Sequence, residues 1–382
     1  MGSRTIGGNE MATTVGDIVT YLQGIAPLYL KEEWDNPGLL LGNQGDPVSS
    51  VLVTLDVMEG TVDYAIAEGI SFIFSHHPLI MKGIKAIRTD SYDGRMYQKL
   101  LSHHIAVYAA HTNLDSATGG VNDVLAEHLQ LQHVRPFIPG VSESLYKIAI
   151  YVPKGYGDAI REVLGKHDAG HLGAYSYCSF SVAGQGRFKP LAGTHPFIGK
   201  RDVLETVEEE RIETIVEGSR LGEVITAMLA VHPYEEPAYD IYPLYQQRTA
   251  LGLGRLGELA TPLSSMAAVQ WVKEALHLTH VSYAGPMDRQ IQTIAVLGGS
   301  GAEFIATAKA AGATLYVTGD MKYHAAQEAI KQGILVVDAG HFGTEFPVID
   351  RMKQNIEAEN EKQGWHIQCV VDPTAMDMIQ RL

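Results

Sequence analysis

Residues 71–80 read SFIFSHHPLI, a short apolar run that passes straight into two adjacent histidines and a proline. Such a run between turn signals is the pattern of a buried strand, and its neighbours show what kind of sheet it joins. VLVTLDV at 51–57 and IAVYAA at 105–110 are similar β-branched runs, and residues 60–69 and 93–104 between them have helical periodicity. Strands alternating with helices predict βαβ units and a parallel sheet. The end of the chain repeats the habit. IAVLGG at 294–299, LYVTGD at 315–320 and ILVVDAG at 334–340 are the strands, with Ala-rich helical stretches at 302–311 and 323–332. The fold class is therefore α/β, a sheet-centred domain made of two similar α/β halves.

The stretch between these halves has another character. YKIAIYVP at 146–153 reads as a strand, 156–167 as a helix and YSYCSFSVAGQGRFKP at 175–190 as a strand pair. RIETIVEG at 211–218 reads as a further strand, 219–231 as a helix, and HPYEEPAYDIYPL at 232–244 as an extended, Pro-rich edge. This order suggests an α+β ferredoxin-like module of the β-α-β-β-α-β type. We place it as an insert, 141–249, between a first half at 12–140 and a second half at 250–382. ALGLGRLGEL at 250–259 suits a Gly-rich re-entry linker. Residues 1–10, MGSRTIGGNE, read as a loose leader outside the fold.

Composition bounds the chemistry. A chain of 382 residues with 46% hydrophobic and 19% charged residues is long enough for two or three conventional soluble domains. A net charge of −15, with no broad basic stretch, argues against general nucleic-acid or membrane-surface binding. Two cysteines, Cys178 and Cys369, exclude a disulfide framework or a multi-cysteine metal site and fit a reducing cytoplasm. No segment has the apolar length of a membrane helix.

In open parallel sheets, ligands bind beyond the carboxyl ends of the strands, and the polar residues of this chain gather at those ends. His76 and His77 follow FIFS; His111, Asn113 and Asp115 follow IAVYAA; Asp320, Tyr323 and His324 follow LYVT; His341 and Glu345 follow ILVVDAG. Each has a bland reading when taken alone. A single histidine is more often a satisfied core residue, Asn113, Asp115 and Thr344 suit helix capping, and GGSG at 298–301 is a loop as readily as a phosphate cradle. Four strand ends delivering histidine and carboxylate to one edge are not so easily dismissed.

Imidazole and carboxylate without thiolate suit zinc, manganese, iron, cobalt or nickel. A spacing of four puts His341 with Glu345, and His111 with Asp115, on one helical face. Adjacent histidines on an extended strand point apart, so His76 and His77 serve one ion each more easily than one ion together. Two ions bridged by a carboxylate can polarise a substrate atom and lower the pKa of bound water toward neutrality.

HHPLI, HTNLD and GHFGTE, together with WDNPGL at 34–39, resemble the signature of the Nif-three-like family, whose members bear the name GTP cyclohydrolase type-two homologue. The resemblance covers residues 12–140 and 250–382, and the insert resembles the PII-like or CutA-like module of longer bacterial members. It implies a dinuclear site of two divalent ions, zinc foremost, with His76, His77, Asp115, His341 and Glu345 as ligands. It also implies a toroidal homohexamer, in which the inserts would trimerise. Asp115 and Glu345 are the bridging candidates, and His111 stands behind the ligands, orienting Asp115 or donating to substrate. Asp320 and His324 are candidates for proton transfer on their chemistry. The expected activity is a metal-dependent hydrolase of a small molecule or nucleotide, with ring opening of GTP as the named reaction. The GGSG amides, Lys322 and Arg255 are the candidate triphosphate contacts. The alternative is metal storage or delivery, or sensing of a small ligand through the insert, where HPYEEPAYD at 232–240 is the distinctive stretch.

Overall fold

The computed structural model describes residues 12–140, 144–173, 175–247 and 251–380, so the leader lies outside the described residues. The chain forms two compact units, Met1–Gly140 with Leu251–Leu382, and Val141–Ala250.

The first unit holds two principal sheets. In one, the strands run in the order Gly38–Leu41, Ala106–Ala109, Phe72–Ser75, Ser50–Thr54 and Gln368–Val371, all parallel except the first. The other runs Ser282–Ala284, Leu335–Asp338, Leu315–Gly319, Gln290–Ser300, Arg255–Ser264 and Gln132–Arg135, with a parallel centre and antiparallel edges. Helices cover both faces of parallel strands, so their residues are apolar without alternation. Ser50–Thr54, Phe72–Ser75 and Leu335–Asp338 are accordingly buried at every position.

The two halves exchange strands. Gln368–Val371, from the end of the chain, pairs with Ser50–Thr54 of the first sheet, and Gln132–Arg135, from the first half, forms an edge of the second. One apolar cluster accordingly takes Val15, Val53 and Tyr108 from the first half with Ile349, Ile356 and Cys369 from the second. Residues 255–259 are strand rather than linker. Arg255–Ser264 pairs antiparallel with Gln290–Ser300, and its Leu256 and Leu259 reach two different core clusters.

The second unit has the order strand Ser144–Pro153, helix Gly157–Lys166, strands Ser179–Phe188 and Glu205–Glu217, helix Leu221–Val231 and strand Tyr239–Gln247. Its antiparallel sheet is ordered fourth, first, third, second, the ferredoxin-like arrangement. Residues 175–190 are one strand rather than a strand pair. Ser179–Phe188 is matched along its whole length by Glu205–Glu217, beyond the loop 189–204. Ile148, Ile150, Ile212 and Val216 pack against Ile160, Leu164, Val224 and Met228 of the two helices.

Candidate metal centre

The strand Phe72–Ser75 ends where its amides go on pairing. The amide of His76 donates to Thr54 O (3.2 Å) and that of His77 to Leu55 O (2.9 Å), which fixes the backbone of both residues. His111 precedes the helical turn Thr112–Ser116, which carries Asp115. His341 and Glu345 are the two ends of a one-turn helix, four residues apart, with His341 Nε2 3.1 Å from Glu345 Oε2. Gly319, at the end of Leu315–Gly319, lets that helix approach: a Cβ there would lie 2.8 Å from His341 N.

These elements bring His76, His77, Asp115, His341 and Glu345 together. His76 is fully buried, its Nε2 3.7 Å from both Asp115 Oδ1 and Glu345 Oε1. His77 Nε2 is 3.0 Å from Glu345 Oε2 and 3.3 Å from His341 Nε2. The ligand atoms form overlapping sets: His76, Asp115 and Glu345; His77, His341 and Glu345; and His76, His77 and His111. Glu345 belongs to two of these sets and Asp115 to one. The opposite orientation expected of His76 and His77 does not separate them, since their ring centroids are 5.0 Å apart.

The far side of each imidazole is anchored. His76 Nδ1 donates to Ala110 O (2.8 Å), His77 Nδ1 to Asp56 (2.8 Å), His111 Nδ1 to Asp35 (2.8 Å) and His341 Nδ1 to Asp320 (2.7 Å). An Nδ1–H engaged in this way leaves the Nε2 lone pair for the centre, the usual arrangement behind a metal-bound histidine. Asp320 thus holds His341. Asp56 and Asp35 were missed in the sequence reading, although both carried a signal: Asp56 follows the strand VLVTL, and Asp35 lies in WDNPGL. Asp35 also accepts from Thr112, which braces the HTNLD turn. The preceding Trp34 is 63% exposed, with its ring edge-on to His111 at 5.9 Å.

Electrostatics show a site that attracts positive charge. Burial works against a charged His77, yet hydrogen bonds to the Asp56 and Glu345 carboxylates prevail and raise it to about 10. His341 rises to about 9, burial again being outweighed, here by Glu345 and Asp320. Burial first, and then the neighbouring Glu345, push Asp115 up to about 8. Glu345 is buried too, but the facing imidazoles hold it well below the ordinary carboxylate range. Among the described residues, the buried His76 Nε2 and Asp115 Oδ1 have no hydrogen-bond partner, and the buried Glu345 Oε2 faces only the Nε2 atoms of His77 and His341.

Other residues singled out in the sequence lie differently. His324 is exposed and its Nδ1 meets Gln327, while Tyr323 is 76% exposed. Three of the four GGSG amides are already committed: Gly298 N donates to Asn122, Gly299 N to Thr344 and Gly301 N to Thr318. Gly299 has φ +67°, and a Cβ there would stand 2.1 Å from Glu345 Oε1, so this glycine makes room for a ligand-type carboxylate rather than for phosphate. Arg255 is buried, spent on Asp123 and on the carbonyls of Gly252, Gly254 and Ala117. Neither GGSG nor Arg255 is free to take a triphosphate.

Buried imidazole nitrogens and carboxylate oxygens without partners, backed by anchored Nδ1 atoms, fit a divalent metal ion. Fold and site together define a sheet-centred α/β protein with a cluster of histidines and carboxylates that could hold a metal ion. The chain belongs to the Duf34/NIF3 (NGG1p interacting factor 3) family, whose model matches residues 13–377. It is 43% identical over 345 residues to a GTP cyclohydrolase 1 type 2 homolog of Halalkalibacterium halodurans, covering 90% of this chain and 91% of that one. Its identity to the Bacillus subtilis protein of the same name is 45% over 325 residues, 85% and 87% of the two chains. Among solved structures, a Bacillus cereus protein related to NIF3 is 38% identical with a TM-score of 0.89, covering 97% of this chain and 99% of its own. No helix of the described residues is long and apolar enough to cross a membrane.

Proposed function

We propose that this protein is a hydrolase that works with two divalent metal ions, zinc foremost, held by His76, His77, Asp115, His341 and Glu345. The observation that carries the reading is the pair of buried atoms without partners, His76 Nε2 and Asp115 Oδ1, beside a buried Glu345 Oε2 that faces only the Nε2 atoms of His77 and His341. Glu345, common to the two ligand sets that contain His76 and His77, would be the carboxylate shared by both ions. A bound pair of divalent ions supplies Lewis acidity and lowers the pKa of coordinated water toward neutrality.

The chain's own residues set direction and order. The side chains of His76 and Glu345 are 0% and 4% exposed, against 24% for His77 and 35% for His341, so substrate approaches on the His77–His341 side. Asp56 and Asp320 keep those two imidazoles in the tautomer with Nε2 toward the centre. The relatives' name points to GTP as a substrate, with ring opening and loss of formate as the reaction. The commitment of the GGSG amides and of Arg255 removes two of the three expected triphosphate contacts and leaves Lys322. That observation favours a second reading, in which the centre stores or delivers metal, or the insert senses a ligand, without nucleotide turnover. Assembly as a homohexamer with trimerised inserts belongs to the same proposal, supported by the family membership and tested by mass in solution.

The deciding experiment measures metal content of chelator-free protein, wild type and His77→Ala with Asp115→Ala, and then formate release from GTP on the same samples. Two transition-metal ions per chain, lost in the double variant together with formate release, establish the hydrolase. Two ions without turnover give the second reading, and no stoichiometric metal removes both.

A further inference from the structure

Trp34 begins the WDNPGL stretch, in which Asp35 is engaged with His111 and Thr112 while the indole itself anchors no ligand. The backbone that carries the indole is nevertheless held on both sides. Before it, Glu32 N donates to Thr112 Oγ1 (2.9 Å). After it, Asp35 N donates to Glu32 O (3.1 Å), which closes a turn around Trp34, and Lys31 Nζ donates to Asp35 O (3.0 Å). Asn36 Nδ2 then donates to Ile80 O (2.6 Å), just beyond HHP. The turn is thus tied to the residue that starts the Asp115 helix and to the chain leaving His77.

This turn holds the indole outward. Trp34 is 63% exposed, whereas Trp271 and Trp365 are half-buried against the cores. An exposed aliphatic needs no special explanation, but an indole has much apolar area to gain by burial, and here a braced turn withholds it. Beside it stands the histidine cluster. The His111 ring lies between Trp34 and His77, 5.9 Å from the first and 5.5 Å from the second, and His77 is 5.2 Å from His341. Trp34 and His77 both meet His111 edge-on, at 79° and 77°. The indole is therefore two ring spacings from His77, within the length of a bicyclic molecule.

We propose that Trp34 is a specificity-determining residue of this site: its exposed indole stacks on a flat ring of the substrate while a polar group of the same molecule reaches the ions at His77 and His341. The substrate class is then a small molecule that joins a planar ring to a metal-seeking group. This rests on the metal-centre reading given above. Stacking selects for planarity whatever the ring's hydrogen-bonding pattern, because every such ring has a π-face, and a side chain whose backbone is already ordered loses little freedom on binding. It requires no contact to a triphosphate.

The test uses the full-length, zinc-loaded protein and three hydroxamates, general ligands of divalent ions that differ only in the attached group: 2-naphthohydroxamate, cyclohexanecarbohydroxamate and acetohydroxamate. Calorimetry reads their affinities. The flat naphthyl compound is expected to bind at least about tenfold tighter than the puckered cyclohexyl one, as base-on-aromatic stacking does in magnitude. That advantage is expected to fall to within about twofold in Trp34→Ala and to persist in Trp34→Phe, with acetohydroxamate affinity and zinc content unchanged in both. Acetohydroxamate binding without a Trp34-dependent advantage of the naphthyl ring overturns the stacking proposal and leaves the metal centre standing. No stoichiometric zinc and no hydroxamate binding overturn the metal reading, and this proposal with it. A change in oligomeric mass in Trp34→Ala in place of a change in naphthyl affinity overturns it in favour of a contact between copies of the chain.

Discussion

His77 and Asp56 show how a candidate metal ligand is held by a residue outside the ligand cluster. Asp56 fixes the tautomer and the ring plane of His77, and its loss leaves the ring free to turn. Asp56→Ala is expected to lower metal affinity roughly 10- to 100-fold with the fold intact, read by competition with a chromophoric chelator and by circular dichroism. An unchanged affinity would show that Asp56 does not act on the ligand. The sequence points to the ligands more readily than to their supports. HHP, HTNLD and HFGTE stand out because histidine beside carboxylate at a strand end is unusual, whereas a lone Asp56 after a strand has many uses. Gly299 illustrates the converse. Its place in GGSG suggests a phosphate turn, and only the neighbouring Glu345 shows that the missing side chain makes room for a carboxylate.

At the scale of elements, Arg255 joins the strand Arg255–Ser264 to the helix Val121–His128 through Asp123 and to the turn before that helix through Ala117 O. Arg255→Met is expected to cost about 3–5 kcal/mol of stability in urea unfolding, because it removes a buried guanidinium from the half-buried Asp123 carboxylate and from several carbonyls. A loss within about 0.5 kcal/mol, usual for surface positions, would return Arg255 to the list of substrate contacts. The three glycines within 250–259 suggest a linker, and only the partners of Arg255–Ser264 show that its start is a strand.

The insert carries its own pH response. His232 is buried; its Nε2–H donates to Tyr151 O (3.1 Å) and its Nδ1 accepts from Tyr234 N (3.1 Å), which specifies the neutral ring. Burial lowers its pKa, outweighing the opposing pull of Tyr151 O and Glu209. The unfolded chain therefore takes up a proton below its ordinary pKa of about 6.5 that the folded insert refuses, and stability falls as pH drops through that value. Thermal unfolding of the insert between about pH 7.5 and pH 5.5 is expected to show this fall, and His232→Asn to flatten it. An identical slope in the variant would assign the response to another group.

At the scale of the whole molecule, two units with separate cores share one chain. The insert leaves and returns at neighbouring points, since Gly140 N donates to Leu251 O (2.9 Å) beside the paired residues Pro139 and Gly252. Removal of 141–250 with an Asn-Gly turn joining the ends is expected to leave a folded protein with the metal stoichiometry of the full chain, because the deletion spares every candidate ligand. Circular dichroism and metal analysis check it, and a shortened chain that folds but holds no metal would show that the centre depends on the insert.

What the sequence determined by itself is local: periodicities of two and 3.6 that mark strands and helices, the α/β alternation of the two halves, and the arrival of histidine and carboxylate at four strand ends. These are readable because backbone geometry and side-chain chemistry are properties of neighbouring residues. Only the tertiary structure decided the exchange of Gln368–Val371 and Gln132–Arg135 between the halves, the pairing of 179–188 with a strand beyond a long loop, and the anchoring of His77 and His111 by Asp56 and Asp35. Each of those is a contact between residues at least 17 positions apart, chosen by which surfaces remain to be buried and which polar groups remain to be satisfied once the local elements have formed.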